Sequence, residues 1–258
     1  MEPLTLVGLA AAAAAAGAVN AIAGGGTLIT FPSLIAAGYS SKVANVTSTV
    51  AIWPGTVGGS LAYRYELRVR MRRVLQLSGP SIAGALVGSV LLLATSQRLF
   101  ESIVPWLILF AAGLLGMNSR LARFAASHGM GARDIEHAPP SLYVAMFFVG
   151  IYGGYFGAGI GILTLAFIAI LAPDDLQHAN AVKGLLAMLM NFVALVVFSL
   201  FGPVQWLPTA VMAVAAIMGG YLGVALARRL NSIMLRRVIV TWGLSQGLYL
   251  LARAHGLI

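Results

Sequence analysis

Two apolar stretches in this chain outrun any single membrane crossing, and each carries a cluster of glycines. Residues 4–37 form a run of 34, and residues 141–172 a run of 32. With 1.5 Å of rise per residue, the first would be about 51 Å long as one helix, against a hydrocarbon core about 30 Å thick. Gly24, Gly25 and Gly26 interrupt the first run, and Gly153, Gly154, Gly157, Gly159 and Gly161 the second. Glycine weakens a helix interior and admits backbone conformations that other residues resist. Both runs are therefore expected to be broken helices. Six further apolar segments, at 43–63, 74–95, 102–117, 179–201, 206–227 and 238–252, fit one crossing each.

Composition supports a bilayer as the solvent. Hydrophobic residues make up 60% of the chain and charged residues 9%, whereas a soluble domain carries about 25% charged residues. So few charges cannot cover a soluble surface, and a disordered chain would need the opposite balance. An integral membrane protein remains. The N-terminus lacks the basic residues of a secretory signal, so the first apolar stretch reads as a retained span. With no cysteine, disulfides, thiolate chemistry and cysteine metal sites are excluded. The net charge of +9 comes from arginine clusters between apolar runs. That placement fits the positive-inside rule better than nucleic-acid binding.

The chain also aligns with itself. Shifted by 135 residues without a gap, Gly24, Gly26 and Leu28 fall on Gly159, Gly161 and Leu163. Ala44-Asn45 falls on Ala179-Asn180, and Ile82, Gly84 and Gly88 fall on Ile217, Gly219 and Gly223. A single register across three clusters indicates a duplication. Residues 64–73 carry a net +4, while their equivalents 199–208 carry none; residues 228–237 carry +4, while 93–102 net zero. The basic loop has thus moved by one crossing between the halves. If both basic loops face the cytoplasm, the halves are inverted, which needs an odd number of crossings per repeat. Re-entrant hairpins in the two long runs would supply five plus five; eight plain spans with one misplaced basic loop is the competing count. The expected fold is an all-α polytopic membrane protein of about 8–10 membrane segments. It comprises a first repeat at 1–117, a cytoplasmic linker at 118–140 and a second repeat at 141–258.

Four stretches carry a family resemblance: Asn20-Ala-Ile-Ala-Gly-Gly-Gly-Thr-Leu28, Ala44-Asn-Val-Thr-Ser-Thr-Val50, Gly150-Ile-Tyr-Gly-Gly-Tyr-Phe-Gly-Ala-Gly-Ile-Gly161 and Asn180-Ala-Val-Lys183. With the duplication, the chain resembles the sulfite exporter TauE/SafE family, also called the toluene sulfonate uptake permeases. The resemblance implies a bacterial inner-membrane carrier of small sulfur-containing anions such as sulfite or organosulfonates. It fixes neither substrate nor direction.

Paired broken helices are the sequence pointer to a mid-membrane binding site. A break frees backbone amides, and a helix N-terminus carries partial positive charge suited to an anion. Gly24, Gly25, Gly26 and Thr27 are the candidates in one half, and Gly157, Gly159 and Gly161 in the other. Close helix packing through small residues is the competing reading, and it is preferred for Gly84, Gly88, Gly219 and Gly223. Asn45 and Asn180 share one repeat position and would either orient a solute oxygen or cap a helix. Ser48 and its neighbours Thr47 and Thr49 would donate hydroxyls or bond back to their own helix. Lys183 is the one charged residue between His178 and Arg228; an intramembrane cation is a functional candidate unless its stem snorkels. Asn20 and Tyr152 complete the set, with packing the competing role for each. No acid lies mid-run, so a carboxylate proton relay is not evident. His178 belongs to the residue type that switches charge near neutral pH, and both proton coupling and uniport remain open.

The match Gly243-Leu-Ser-Gln-Gly247 to G-x-S-x-G lies inside an apolar run without the strand–turn–helix setting of a nucleophile elbow. No enzyme, cofactor or metal is expected. The expected partners are a small anion and the bilayer, with protons as a candidate coupling ion, no nucleic acid, and the oligomeric state undefined. The expected function is secondary transport by alternating access, with an anion channel using the same groups as the alternative.

Overall fold

The computed structural model describes residues 2–22, 25–62, 64–129, 138–172, 174, 176–227 and 232–254. Among them there are ten helices and no strand. The first five are α1 (Pro3–Ile22), α2 (Thr27–Ala36), α3 (Ser41–Ala62), α4 (Arg64–Ala94) and α5 (Gln97–Gly129). The second five are α6 (Pro140–Tyr155), α7 (Ile160–Leu171), α8 (Leu176–Phe201), α9 (Trp206–Ala227) and α10 (Ser232–Ala254). Each long apolar run is therefore two helices. In water-free surroundings an all-helical chain satisfies its backbone within each segment. Among the described residues, four helices are long and apolar enough to cross a membrane, over Pro3–Asn20, Arg70–Ala94, Gln97–Arg120 and Gln177–Phe201.

The two sets of five follow the same order. Helices α3 and α8 begin at 41 and 176, and α5 and α10 begin at 97 and 232, both pairs separated by 135 residues. The packing is exchanged between the sets. Helix α1 lies on α9 while α6 lies on α4; α3 lies on α9 while α8 lies on α4; α5 lies on α7 while α10 lies on α2. Helices α3 and α8 pack on each other, as do α5 and α10. Every contact of this set has a counterpart when the halves are swapped.

Glycines make the exchanged contacts possible. A Cβ at Gly84 would run into the Phe147 carbonyl, one at Gly88 into the Ile151 carbonyl, and one at Gly154 into the Ala85 carbonyl. The mirror contact has Gly17 against the Ala216 carbonyl and Gly219 against the Ala14 carbonyl. Backbones this close gain dispersion contact where lipid offers no hydrophobic drive. The packing reading thus holds for Gly84, Gly88 and Gly219; no contact is described for Gly223.

One ion-paired cluster joins the halves. Arg70 and Arg73 at the start of α4 each donate to Asp174, in the α7–α8 connection, at 2.8 Å and 2.8 Å. Residues that read in the sequence only as a basic loop therefore pin that connection to α4. Lys42 works elsewhere, donating to the carbonyls of Leu93 and Thr95 at 2.6 and 2.8 Å. It closes the C-terminal end of α4, where orphan carbonyls and the helix dipole favour a cation.

Candidate functional site

The break between α6 and α7 is built by two left-handed glycines. Gly157 has φ +79° and Gly159 φ +77°, a region other L-residues enter at a cost of about 1–2 kcal/mol. Helix α6 closes with the Phe156 and Gly157 amides donating to the Tyr152 carbonyl at 2.9 and 3.2 Å. Helix α7 opens with the Ile162 and Leu163 amides returning to the Gly159 carbonyl at 2.9 and 3.2 Å. Among the described residues, the Gly159 and Gly161 amides meet no protein acceptor. The Tyr152 hydroxyl donates to the Ala158 carbonyl at 2.6 Å. This phenol braces the break, so its hydroxyl proton is already committed.

Lys183 comes to this break. Its Cγ and Cδ lie 3.7 Å from where a Cβ on Gly161 would stand. The lysine stem therefore lies in ordinary van der Waals contact with the first turn of α7. The Lys183 ammonium donates to Asn180 Oδ1 at 2.9 Å, one turn earlier on α8. From the first half, Asn45 is fully buried and donates through Nδ2 to the Tyr155 carbonyl at 3.0 Å. Asn45 and Lys183 thus stand at the two lips of one break, one from each half. Asn191 joins them, its Oδ1 3.3 Å from the Cβ position of Gly157.

The first break is arranged differently. Asn20 Oδ1 accepts from the Gly25 and Gly26 amides at 3.1 and 2.8 Å. These are the amides that the sequence offers to an anion, and the chain satisfies them itself. Gly26 is turned back against α1, its Cβ position 2.6 Å from the Ala16 carbonyl. Thr27 is buried in the first turn of α2, and Gly24 lies outside the described residues. Ser48 shares a 2.6 Å hydrogen bond with Thr30 of α2, a partner the sequence did not single out. Thr47 accepts from the Gln205 amide at 3.2 Å, and Thr49 bonds back to the Asn45 carbonyl at 2.9 Å.

The structure therefore brings together Gly157, Gly159, Gly161, Asn180, Lys183 and Asn45, and it commits Asn20 and Tyr152 to bracing the breaks. A separate cavity of about 420 Å³ is lined by Tyr39, Ser40, Ser41, Glu101 and Arg253 among others, and contains none of these residues. It opens beside the α2–α3 connection, the repeat counterpart of the connection that Asp174 pins to α4.

The family model of the TauE/SafE sulfite exporters matches residues 9–250. The chain belongs to the TauE/SafE sulfite exporter family. It is 29% identical to the probable membrane transporter protein YfcA of Escherichia coli K12, over 99% of this chain and 93% of the relative. It is 28% identical to a probable membrane transporter protein of Haemophilus influenzae, over 86% of this chain and 85% of that one. It is 26% identical to the probable membrane transporter protein ORF9 of a Sinorhizobium species, over 93% and 90%. No solved structure matches it. This TauE/SafE chain is a multi-pass membrane transporter of the inner membrane, and a small solute and the bilayer are its partners.

Proposed function

We propose that this transporter carries a small sulfur oxyanion or organosulfonate across the bacterial inner membrane, at the α6–α7 break. The observation that carries the reading is Lys183, a cation on an apolar membrane helix whose stem lies against the first turn of α7. Amides at the N-terminus of α7 that meet no protein acceptor and the Lys183 ammonium make a set of hydrogen-bond donors, and sulfonate oxygens are acceptors only. Such a site has no use for a catalytic constellation. The exchanged packing of the ten helices supports two inverted repeats, residues 1–117 and 141–258 joined by 118–140. Both basic ends would then face the cytoplasm. Rocking of one repeat against the other would move the opening of a fixed site.

The test is binding of sulfite, sulfate, thiosulfate and alkyl sulfonates to purified protein, with Lys183→Met beside wild type. An opposite charge about 4 Å away at an effective dielectric near 20 is worth roughly 4 kcal/mol, much of it offset by desolvation. Affinity should fall about tenfold to a few hundredfold. Unchanged affinity in Lys183→Met would remove the anion site from this break. Saturating flux far below channel rates would separate a carrier from a channel.

A further inference from the structure

The two ends of the duplicated fold use their charges differently. At one end Asp174, in the α7–α8 connection, takes both Arg70 and Arg73. The repeat counterpart of Asp174 is Tyr39, and those of Arg70 and Arg73 are Gln205 and Pro208. These positions carry no charge, so the same clasp cannot form at the α2–α3 connection. The cavity of about 420 Å³ lies there, and Gly38, at φ +90°, turns the chain at its wall.

The charges of this cavity come from two helix ends. Glu101 lies early in α5 and Arg253 in the last turn of α10. Both line the hollow, and both are exposed. Among the described residues no ion pair joins them, so they stand beyond the reach of about 4 Å at which such a pair forms. Gln97 donates to Glu101 Oε1; among the described residues, Oε2 and the Arg253 guanidinium meet no partner. One turn deeper, Val104 of α5 and Leu250 of α10 line the same hollow. The rim thus carries both signs of charge, and the floor is apolar. Ser40 and Ser41 add hydroxyls. The nearby Lys42 is committed to the Leu93 and Thr95 carbonyls.

We propose that this cavity binds a small soluble zwitterion, with a primary ammonium at one end and an oxyacid group such as a carboxylate at the other. The ammonium donates to the Glu101 carboxylate. The oxyacid accepts from the Arg253 guanidinium, whose planar fork suits two oxygens. Methylenes between the two ends cover Val104 and Leu250. The volume falls within the range of small-molecule pockets, about 300–1,000 Å³. A simple anion or a simple amine would leave one of the two charges unanswered. The exposed Leu99, Trp106 and Phe110 lie on the opposite side of α5 from Glu101 and Val104. The hollow therefore faces water rather than acyl chains, which favours a solute over a lipid. It lies at the far end of α10 from Arg237, so on the inverted reading it opens away from the cytoplasm. None of the residues at the α6–α7 break line it, and the site does not depend on the anion reading above.

The experiment is titration calorimetry of the purified full chain in detergent with β-alanine, γ-aminobutyrate and 5-aminovalerate, beside propionate and propylamine. The amino acids should bind saturably, with affinity that peaks at one spacer length. Each exposed ion pair is worth about fivefold, so the best zwitterion should exceed propionate and propylamine by about that factor. Glu101→Gln and Arg253→Gln should each lower its affinity by about fivefold. Both side chains are exposed, so both variants should unfold at the wild-type temperature. Lys183→Met should leave zwitterion binding unchanged, which tells failure of this site apart from failure of the anion site. Absence of saturable binding, propionate and propylamine binding as tightly as the zwitterions, or unchanged affinity in both Glu101→Gln and Arg253→Gln would overturn the proposal. Binding lost in phosphatidylethanolamine nanodiscs but kept in phosphatidylglycerol nanodiscs would also overturn it, by giving the cavity to a lipid headgroup.

Discussion

Replacing Asp174 by Asn removes the charge that holds two arginines and leaves the side-chain shape. Asp174 is 3% exposed, Arg73 6% and Arg70 23%. Each arginine gives it a 2.8 Å charge-assisted bond. Removing one member of a buried pair typically costs about 3–5 kcal/mol, because the remaining charge keeps its desolvation penalty. Arg70 is partly solvated, so the Arg73 bond dominates and the lower end is expected. For a chain of this size each kcal/mol shifts Tm by about 2–4 °C, giving a fall of roughly 6–12 °C for about 3 kcal/mol. The assay is thermal unfolding in detergent of Asp174→Asn, Arg73→Met and the double variant. Since the single changes remove the same interaction, the double variant should lose less than their sum by about 2 kcal/mol. Strict additivity would mean that carboxylate and guanidinium do not act as a pair, and the idea that α4 is tied to the α7–α8 connection would fall. Asp174→Asn should also expose an adjacent introduced cysteine to a water-soluble reagent, since the connection is released.

Three further outcomes follow from the geometry. Gly88→Leu should abolish folded protein or flux, because its Cβ meets the Ile151 carbonyl, whereas Gly79→Ala, with nothing within 4 Å, should be near neutral; equal yields and uptake would contradict the close α4–α6 approach. Asn20→Ala should cost about 1–2 kcal/mol through loss of the cap on Gly25 and Gly26, read as a lowered Tm with anion affinity kept; lost affinity without lost stability would return Asn20 to the binding site. Because the chain has no cysteine, Arg68→Cys and Arg237→Cys can be labelled without background, and both should react from the cytoplasmic side. Labelling from opposite faces would refute the inverted arrangement.

The membrane class and the two helix breaks were legible in the sequence. They depend on local properties: hydropathy, charge density, and glycine where a helix must stop. Lys183 stood out for the same reason, as a charge in apolar surroundings. What only the tertiary structure decided was which groups are already used. Asn20 and Asn45 look alike in the sequence, yet Asn20 closes its own chain's break while Asn45 reaches across to Tyr155 and keeps a bare oxygen. Arg70 and Arg73 looked like a topology signal and turn out to hold Asp174, 104 and 101 residues away. Hydrogen-bond satisfaction in a medium without water is a property of pairs, and the partners here lie on helices far apart in the chain. Periodicity and composition describe one residue's surroundings along the chain; packing alone selects its partner across it.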